Sequence, residues 1–193
     1  MVYTKTYSAP QVNEKEILRY LGGDKSEQTL TLITDCLNEL SDKLKYKVCY
    51  LELDPVINEN ECDFGVFKLN SKNLALNLRG AKRVILFAAT VGVEIDRLIA
   101  KYGKISPTKA LIFQAIGSER AEALCDLFCA DMEKAYSLKA KPRFSPGYGD
   151  LSLESQKQIF SVLLPERKLG ITLSDGMLMF PTKSVTAFVG LKF

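Results

Sequence analysis

The chain has 193 residues, 47% hydrophobic and 25% charged, with a formal net charge of +3; this suits one globular domain over residues 1–193 and lacks the basic excess of a nucleic-acid binder. Histidine is absent, which excludes Ser-His-Asp and Cys-His hydrolases, His-ligated metals and an imidazole proton shuttle, so any chemistry must come from a cofactor or substrate. The N-terminal segment has no apolar signal core, and no stretch reaches the ~20 apolar residues of a membrane span, so the expectation is a cytoplasmic protein without membrane or nucleic-acid partners.

Asn13 with Glu16 three residues on has the spacing of a helix start, and Gly22-Gly23 a helix stop. A second helix is predicted from Ser26 to about Leu44, with Leu30, Ile33, Leu37, Leu40 and Leu44 on its buried face. Period-two patterning around Tyr46, Val48 and Tyr50, and again at 66–69, predicts strands, with turns at Asp54-Pro55 and 58–60. The apolar run 84–89 has the length of a buried strand, after which Thr90 is expected to cap a helix from about Val91 to Tyr102.

Ser106-Pro107 opens a long helix reaching about Leu138. Phe113, Ile116, Leu124, Leu127 and Phe128 form its core face, and Ala115, Ser118, Glu122, Cys125 and Cys129 the opposite one, where a carboxylate sits among small residues. Pro142 forces extended chain, a short helix is predicted from about Ser152 to Leu164, and the alternation in 184–193 predicts a strand with one covered side. Long helices and period-two strands without a regular β-α-β rhythm give an α+β fold, with a mostly antiparallel twisted sheet flanked by helices. The five cysteines (Cys36, Cys49, Cys62, Cys125, Cys129) lack C-x-x-C spacing and read as buried thiols, with neither a disulfide framework nor a metal site. Lys183 is expected to be solvated.

RFSPGYGD (143–150) is the most unusual stretch. Pro146 restrains Ser145, Gly147 and Gly149 allow close backbone approach on either side of Tyr148, and Arg143 offers a fork of donors suited to a carboxylate or phosphate. Composition and spacing leave two readings open: a ligand cradle, or a plain Pro-Gly turn with a surface arginine.

The same stretch resembles the Arg-x-x-x-Gly-Tyr signature of the activation (reactivation) domain family of cobalamin-dependent methionine synthase. GITLSDGMLMFPTKSV, FAATVGVEID and AEALCDLF are similar to three further family segments in the same order. The likeness spans roughly residues 81–189, and residues 1–80 are only loosely comparable. It implies that Arg143 pairs with the carboxylate of S-adenosylmethionine, that Ser145 and Gly147 contribute backbone contacts, that Tyr148 is the motif tyrosine, and that Glu122 meets the ligand's amino group. The family's further C-terminal tyrosine segment has no counterpart here, and the insertion between the long helix and the signature is missing.

The implied function is reactivation: an S-adenosylmethionine-binding protein supporting reductive methylation of oxidised cob(II)alamin in a cobalamin-dependent methionine synthase or similar corrinoid protein. It would act in trans and without catalytic or metal-binding residues of its own. The cobalamin would be carried by that partner, and the electron supplied by a flavodoxin- or ferredoxin-like reductant. The alternatives are a docking or assembly module without ligand binding, and a stand-alone methyltransferase, disfavoured by the lack of a glycine-rich nucleotide loop.

Overall fold

A computed structural model describes residues 1–23 and 25–193. Strand β1 (Tyr3–Tyr7) is followed by helices α1 (Glu14–Tyr20) and α2 (Glu27–Leu40). Side chains accept first-turn N–H groups at both helix starts, Asn13 from Glu16 N and Ser26 from Thr29 N. Helix α2 is shorter than expected. The chain leaves it through Ser41 and Asp42, the latter in the left-handed region at φ 60°, so Leu44 falls outside the helix, and Leu30 faces solvent while Ile33 and Leu40 are buried.

Strand β2 (Tyr46–Leu53) precedes a small antiparallel sheet of β3 (Val56–Ile57), β4 (Glu61–Asp63) and β5 (Lys68–Asn70), and then helix α3 (Lys72–Leu78). Strand β6 (Arg83–Thr90) leads to α4 (Glu94–Ile105) and the long helix α5 (Pro107–Tyr136). Thr90 does not cap α4: it ends β6, four residues before the helix begins, and its hydroxyl accepts from Gly92 N at 3.2 Å. Pro107 occupies the first turn of α5 as expected, although the Ser106 side chain makes no capping bond. Strand β7 (Lys139–Ala140), helices α6 (Ser155–Leu163) and α7 (Pro165–Leu169), the hairpin of β8 (Thr172–Leu173) with β9 (Met179–Phe180), and strand β10 (Ser184–Lys192) complete the order.

The main sheet is antiparallel throughout, in the order β1-β2-β6-β10-β7. Strand alternation splits the core. Val48, Tyr50, Ile85, Phe87, Ala89, Ala187, Val189 and Leu191 face α1, α2, α4 and α5, whereas Cys49, Val84, Leu86, Ala88 and Phe188 face α3, α6 and α7. Strand β10 is therefore covered on both sides, not one, because helices pack on both faces of the sheet. The Phe128 ring of α5 packs, tilted, with its centre 4.8 Å from that of Phe87 and 5.3 Å from that of Tyr50, and burying one such side chain is worth about 1.5–3 kcal/mol.

Helix α5 is buried on more than one face, which its single-face pattern did not announce. Ala115, Cys125 and Cys129, assigned to the open side, are buried along with Phe113, Ile116, Leu124 and Phe128; Ser118 and Glu122 remain partly exposed. All five cysteines are buried free thiols. Most of α5's turns touch a neighbour because α1, α2, α4 and the sheet surround it.

Candidate functional site

The site is built where the edge of the sheet passes α5. Ala140 pairs with Leu191 of β10, and Phe144 pairs with Phe188 in an isolated bridge. Residues 141–143 thus oppose only Val189 and Gly190, an extra residue that makes a bulge around Pro142. The bulge reverses which side of the sheet each residue faces: Ala140 packs against the α5 core, whereas Phe144 packs against the core on the other side. Arg143, next to Phe144, is aimed back at α5.

There the Arg143 guanidinium meets two carboxylates one helical turn apart. Nη2 donates to Glu122 Oε2 at 2.6 Å, and Nη1 donates to Asp126 Oδ1. Burial is the largest single influence on Arg143 and works against its charge, but the hydrogen bond to Asp126 together with the surrounding negative groups outweighs it, and the pKa is raised. Cys129 lies beneath; burial raises its thiol pKa and the nearby guanidinium opposes the rise.

Beyond Arg143 the chain makes a tight turn. Tyr148 N donates to Ser145 O at 3.1 Å across Pro146-Gly147, and Gly147 has φ +91°, the arrangement of a type II turn with proline then glycine at its centre. Gly147 N donates to Leu151 O at 2.8 Å. Gly149 packs against the Asn73 side chain so closely that a Cβ would collide with it. Asp150 accepts from Ser71 Oγ, from Lys72 N at 2.8 Å and from Asn73 N at 3.2 Å, tying the segment to the start of α3; the Ser71 bond leads the causes that lower its pKa. The segment is therefore both a Pro-Gly turn and one wall of a cleft.

That cleft has a volume of about 870 Å³. Arg143, Ser145, Pro146 and Tyr148 form one wall, Met177, Leu178 and Met179 of the β8–β9 hairpin another, and Thr182, Ser184 and Thr186 run along its base. Glu122 and Cys129 of α5 and Gln156 of α6 close it, with Thr186 Oγ1 donating to Gln156 Oε1 at 2.9 Å. A second cavity of about 680 Å³ lies between α1 and α5 and shares Glu122 and Tyr148 with the first. Tyr148 is 59% exposed at this junction.

Of the five residues singled out from sequence, Arg143, Ser145, Tyr148 and Glu122 line the cleft, while Gly147 shapes the turn and is not part of the lining. The hairpin segment contributes directly. FAATVGVEID instead anchors the cleft base: the Thr90 and Ser184 hydroxyls are 2.9 Å apart, and Asp96 accepts from Thr182 N at 3.3 Å. Lys183 is not solvated; it is half-buried with Nζ donating to Ser118 Oγ at 3.0 Å, and burial lowers its pKa.

Two features escaped the sequence reading. Asp126 at Arg143 is one, although its spacing of four residues from Glu122 could have revealed it. The other is a buried pair on the preceding turn, Glu119–Arg120, each 2% exposed. Arg120 donates to Pro10 O at 2.6 Å and to Gln11 O at 2.8 Å, and Glu119 accepts from Asn13 N at 3.0 Å. These bonds lay the segment between β1 and α1 along the smaller cavity. Among the described residues, no cluster of His, Cys, Asp or Glu is placed to hold a metal ion, and no helix is long and apolar enough to cross a membrane.

No protein-family model matches the chain, and no curated protein matches it. Among solved structures, a crystal structure of the MetH reactivation domain bound to AdoHcy superposes with a TM-score of 0.77 at 14% identity, covering 98% of this chain and 78% of that one. The likeness is one of fold across nearly the whole length, residues 1–80 included: this chain has the α+β fold of the MetH reactivation domain.

Proposed function

We propose that the chain binds S-adenosylmethionine in the cleft at Arg143. We further propose that it serves as a reactivation protein in trans, supporting reductive methylation of oxidised cob(II)alamin in a cobalamin-dependent methionine synthase. The observation that carries this reading is the meeting of Arg143 and Glu122, from separate segments, beside a cleft of about 870 Å³. A guanidinium and a carboxylate at one end suit the carboxylate and ammonium of an amino-acid head, each charge-assisted bond being worth about 1.5–3 kcal/mol. The apolar walls of Pro146, Leu153, Met177 and Met179 suit a nucleoside. The AdoHcy in the MetH domain of the same fold agrees with this ligand class.

Arg143 and Glu122 would hold the amino-acid head, the backbone at Ser145 and Gly147 would border the ligand, and Tyr148 would flank it at the mouth. S-adenosylmethionine supplies an electrophilic sulfonium methyl; the protein's own contribution is position, which suits a chain without histidine. The cobalamin belongs to the partner in this reading, and a flavodoxin- or ferredoxin-like protein would supply the electron.

The exchangeable test is calorimetric titration with S-adenosylmethionine, with and without a cobalamin-binding partner domain. Saturable one-site binding is expected, and its absence under both conditions sinks the ligand assignment. One observation favours the second reading, a docking module without ligand: Arg143 is already satisfied by the chain's own carboxylates. The same titration separates the two.

A further inference from the structure

We propose that Asp126 is an internal stand-in for the ligand's carboxylate, so that ligand entry exchanges one ion pair at Arg143 for another and selects zwitterionic heads over simple carboxylates. The inference rests on the reading that the cleft takes an amino-acid-bearing nucleoside. Both terminal nitrogens of Arg143 are engaged, one by Asp126 and one by Glu122. An incoming carboxylate that grips the guanidinium by both of those nitrogens must replace one partner.

The two carboxylates are not equivalent. Glu122 lines both the large cleft and the smaller cavity, and its side chain is 43% exposed; Asp126 is 71% exposed and lines the smaller cavity but not the large cleft, so it approaches Arg143 from the side away from the cleft. Returning Asp126 to water costs little, because an ion pair with so exposed a partner is weak. Arg143 is itself 23% exposed and is fixed by the bulged edge strand, so the anchor stays while its partner changes.

Charge then sets selectivity. Glu122, Asp126 and Arg143 together carry one net negative charge. A ligand offering a carboxylate alone brings a third anion to a single guanidinium, and repulsion opposes it. A ligand with an ammonium beside its carboxylate brings its own counter-charge, and that ammonium can take up Glu122 as the carboxylate displaces Asp126. Asp126 is in this sense a specificity-determining residue that works by competition and repulsion.

The test compares the wild type, Asp126→Asn and Glu122→Gln by calorimetry with two probes: S-adenosylhomocysteine and its analogue lacking the amino group. Asp126→Asn removes the charge at nearly constant shape, and an unchanged thermal unfolding curve checks the fold. The amino-less analogue is expected to bind Asp126→Asn about two- to fivefold tighter than wild type, with a smaller change for S-adenosylhomocysteine. Glu122→Gln is expected to weaken S-adenosylhomocysteine, opposite in sign although both residues share one guanidinium. Unchanged or weaker binding of the analogue to Asp126→Asn overturns the exchange while leaving the ligand site standing. Failure of every form to bind S-adenosylhomocysteine overturns both the site and the exchange.

Discussion

Glu119–Arg120 and Glu122–Arg143 are both carboxylate–guanidinium pairs whose carboxylates lie on neighbouring turns of α5, and their surroundings make them different objects. The first is sealed, each partner 2% exposed, and its remaining bonds go to Pro10, Gln11 and Asn13. The second opens onto a cleft, and its guanidinium comes from a bulged edge strand. Burial separates them physically: a sealed pair must be satisfied by the chain itself, whereas an open pair can trade a partner for a ligand or for water. Charge chemistry alone does not say which pair binds and which one holds the fold.

The contrast can be broken most sharply at Arg120. Arg120→Ala would leave the Glu119 carboxylate buried without its counter-ion and two backbone carbonyls without donors, so a loss of about 3–5 kcal/mol in unfolding free energy is expected. Denaturant titration measures it, and a cost near that of a surface substitution would show that the sealed pair does not hold the N-terminal segment. Arg143→Ala should behave the other way. S-adenosylmethionine affinity should fall by about 2 kcal/mol or more, while stability changes by less than about 1 kcal/mol.

Gly147→Ala sharpens the comparison through the backbone that carries the open pair's neighbour Tyr148. With φ +91° and a Cβ that would sit 3.1 Å from Leu153 Cδ2, the substitution should cost about 1 kcal/mol or more, read as a lower Tm. The smallest effect belongs to a third pair on α5. Asp131 accepts from Lys5 Nζ at 2.6 Å and from Tyr7 OH at 2.8 Å, holding β1 to the helix. The Lys5 hydrogen bond lowers the Asp131 pKa against a smaller opposing effect of burial. A folded-state pKa below the unfolded one means stability that is complete above the ordinary Asp value of 3.8 and lost as pH falls through the lower folded value. Asp131→Asn should cost up to about 1 kcal/mol at neutral pH, after allowance for solvent screening. That cost should vanish in acid; a cost that persists below the titration would mean the carboxylate charge is not what secures β1.

Elements whose signals are local were legible. Asn13, Ser26 and Ser106-Pro107 mark the starts of α1, α2 and α5, the apolar run of β6 marks a buried strand, and the alternation in β10 marks a strand without announcing that both of its faces are covered. The turn at 143–150 was legible too, since proline and glycine restrict or widen backbone choice wherever they stand, but that it borders a ligand site was suggested only by the family resemblance. Strand β1, YTKTY, was not, because it is a polar edge held by its register on β2 and by Asp131. Helix α3 was missed as well; its first turn is completed by Asp150, far along the chain. Lys183 looked like any surface lysine until Ser118 and Gly117 of α5 were folded over it.

By itself the amino-acid sequence determined the α+β class, the starts of α1, α2 and α5, the strands β6 and β10, the buried thiols and the turn at 143–150, because caps, periodicity and turn residues act within a few positions. Tertiary structure alone decided which of two adjacent arginine–carboxylate pairs was sealed, where the bulge aimed Arg143, and that Asp126 shares its guanidinium. Those outcomes depend on solvent exclusion and on contacts between distant segments, which no window of sequence contains.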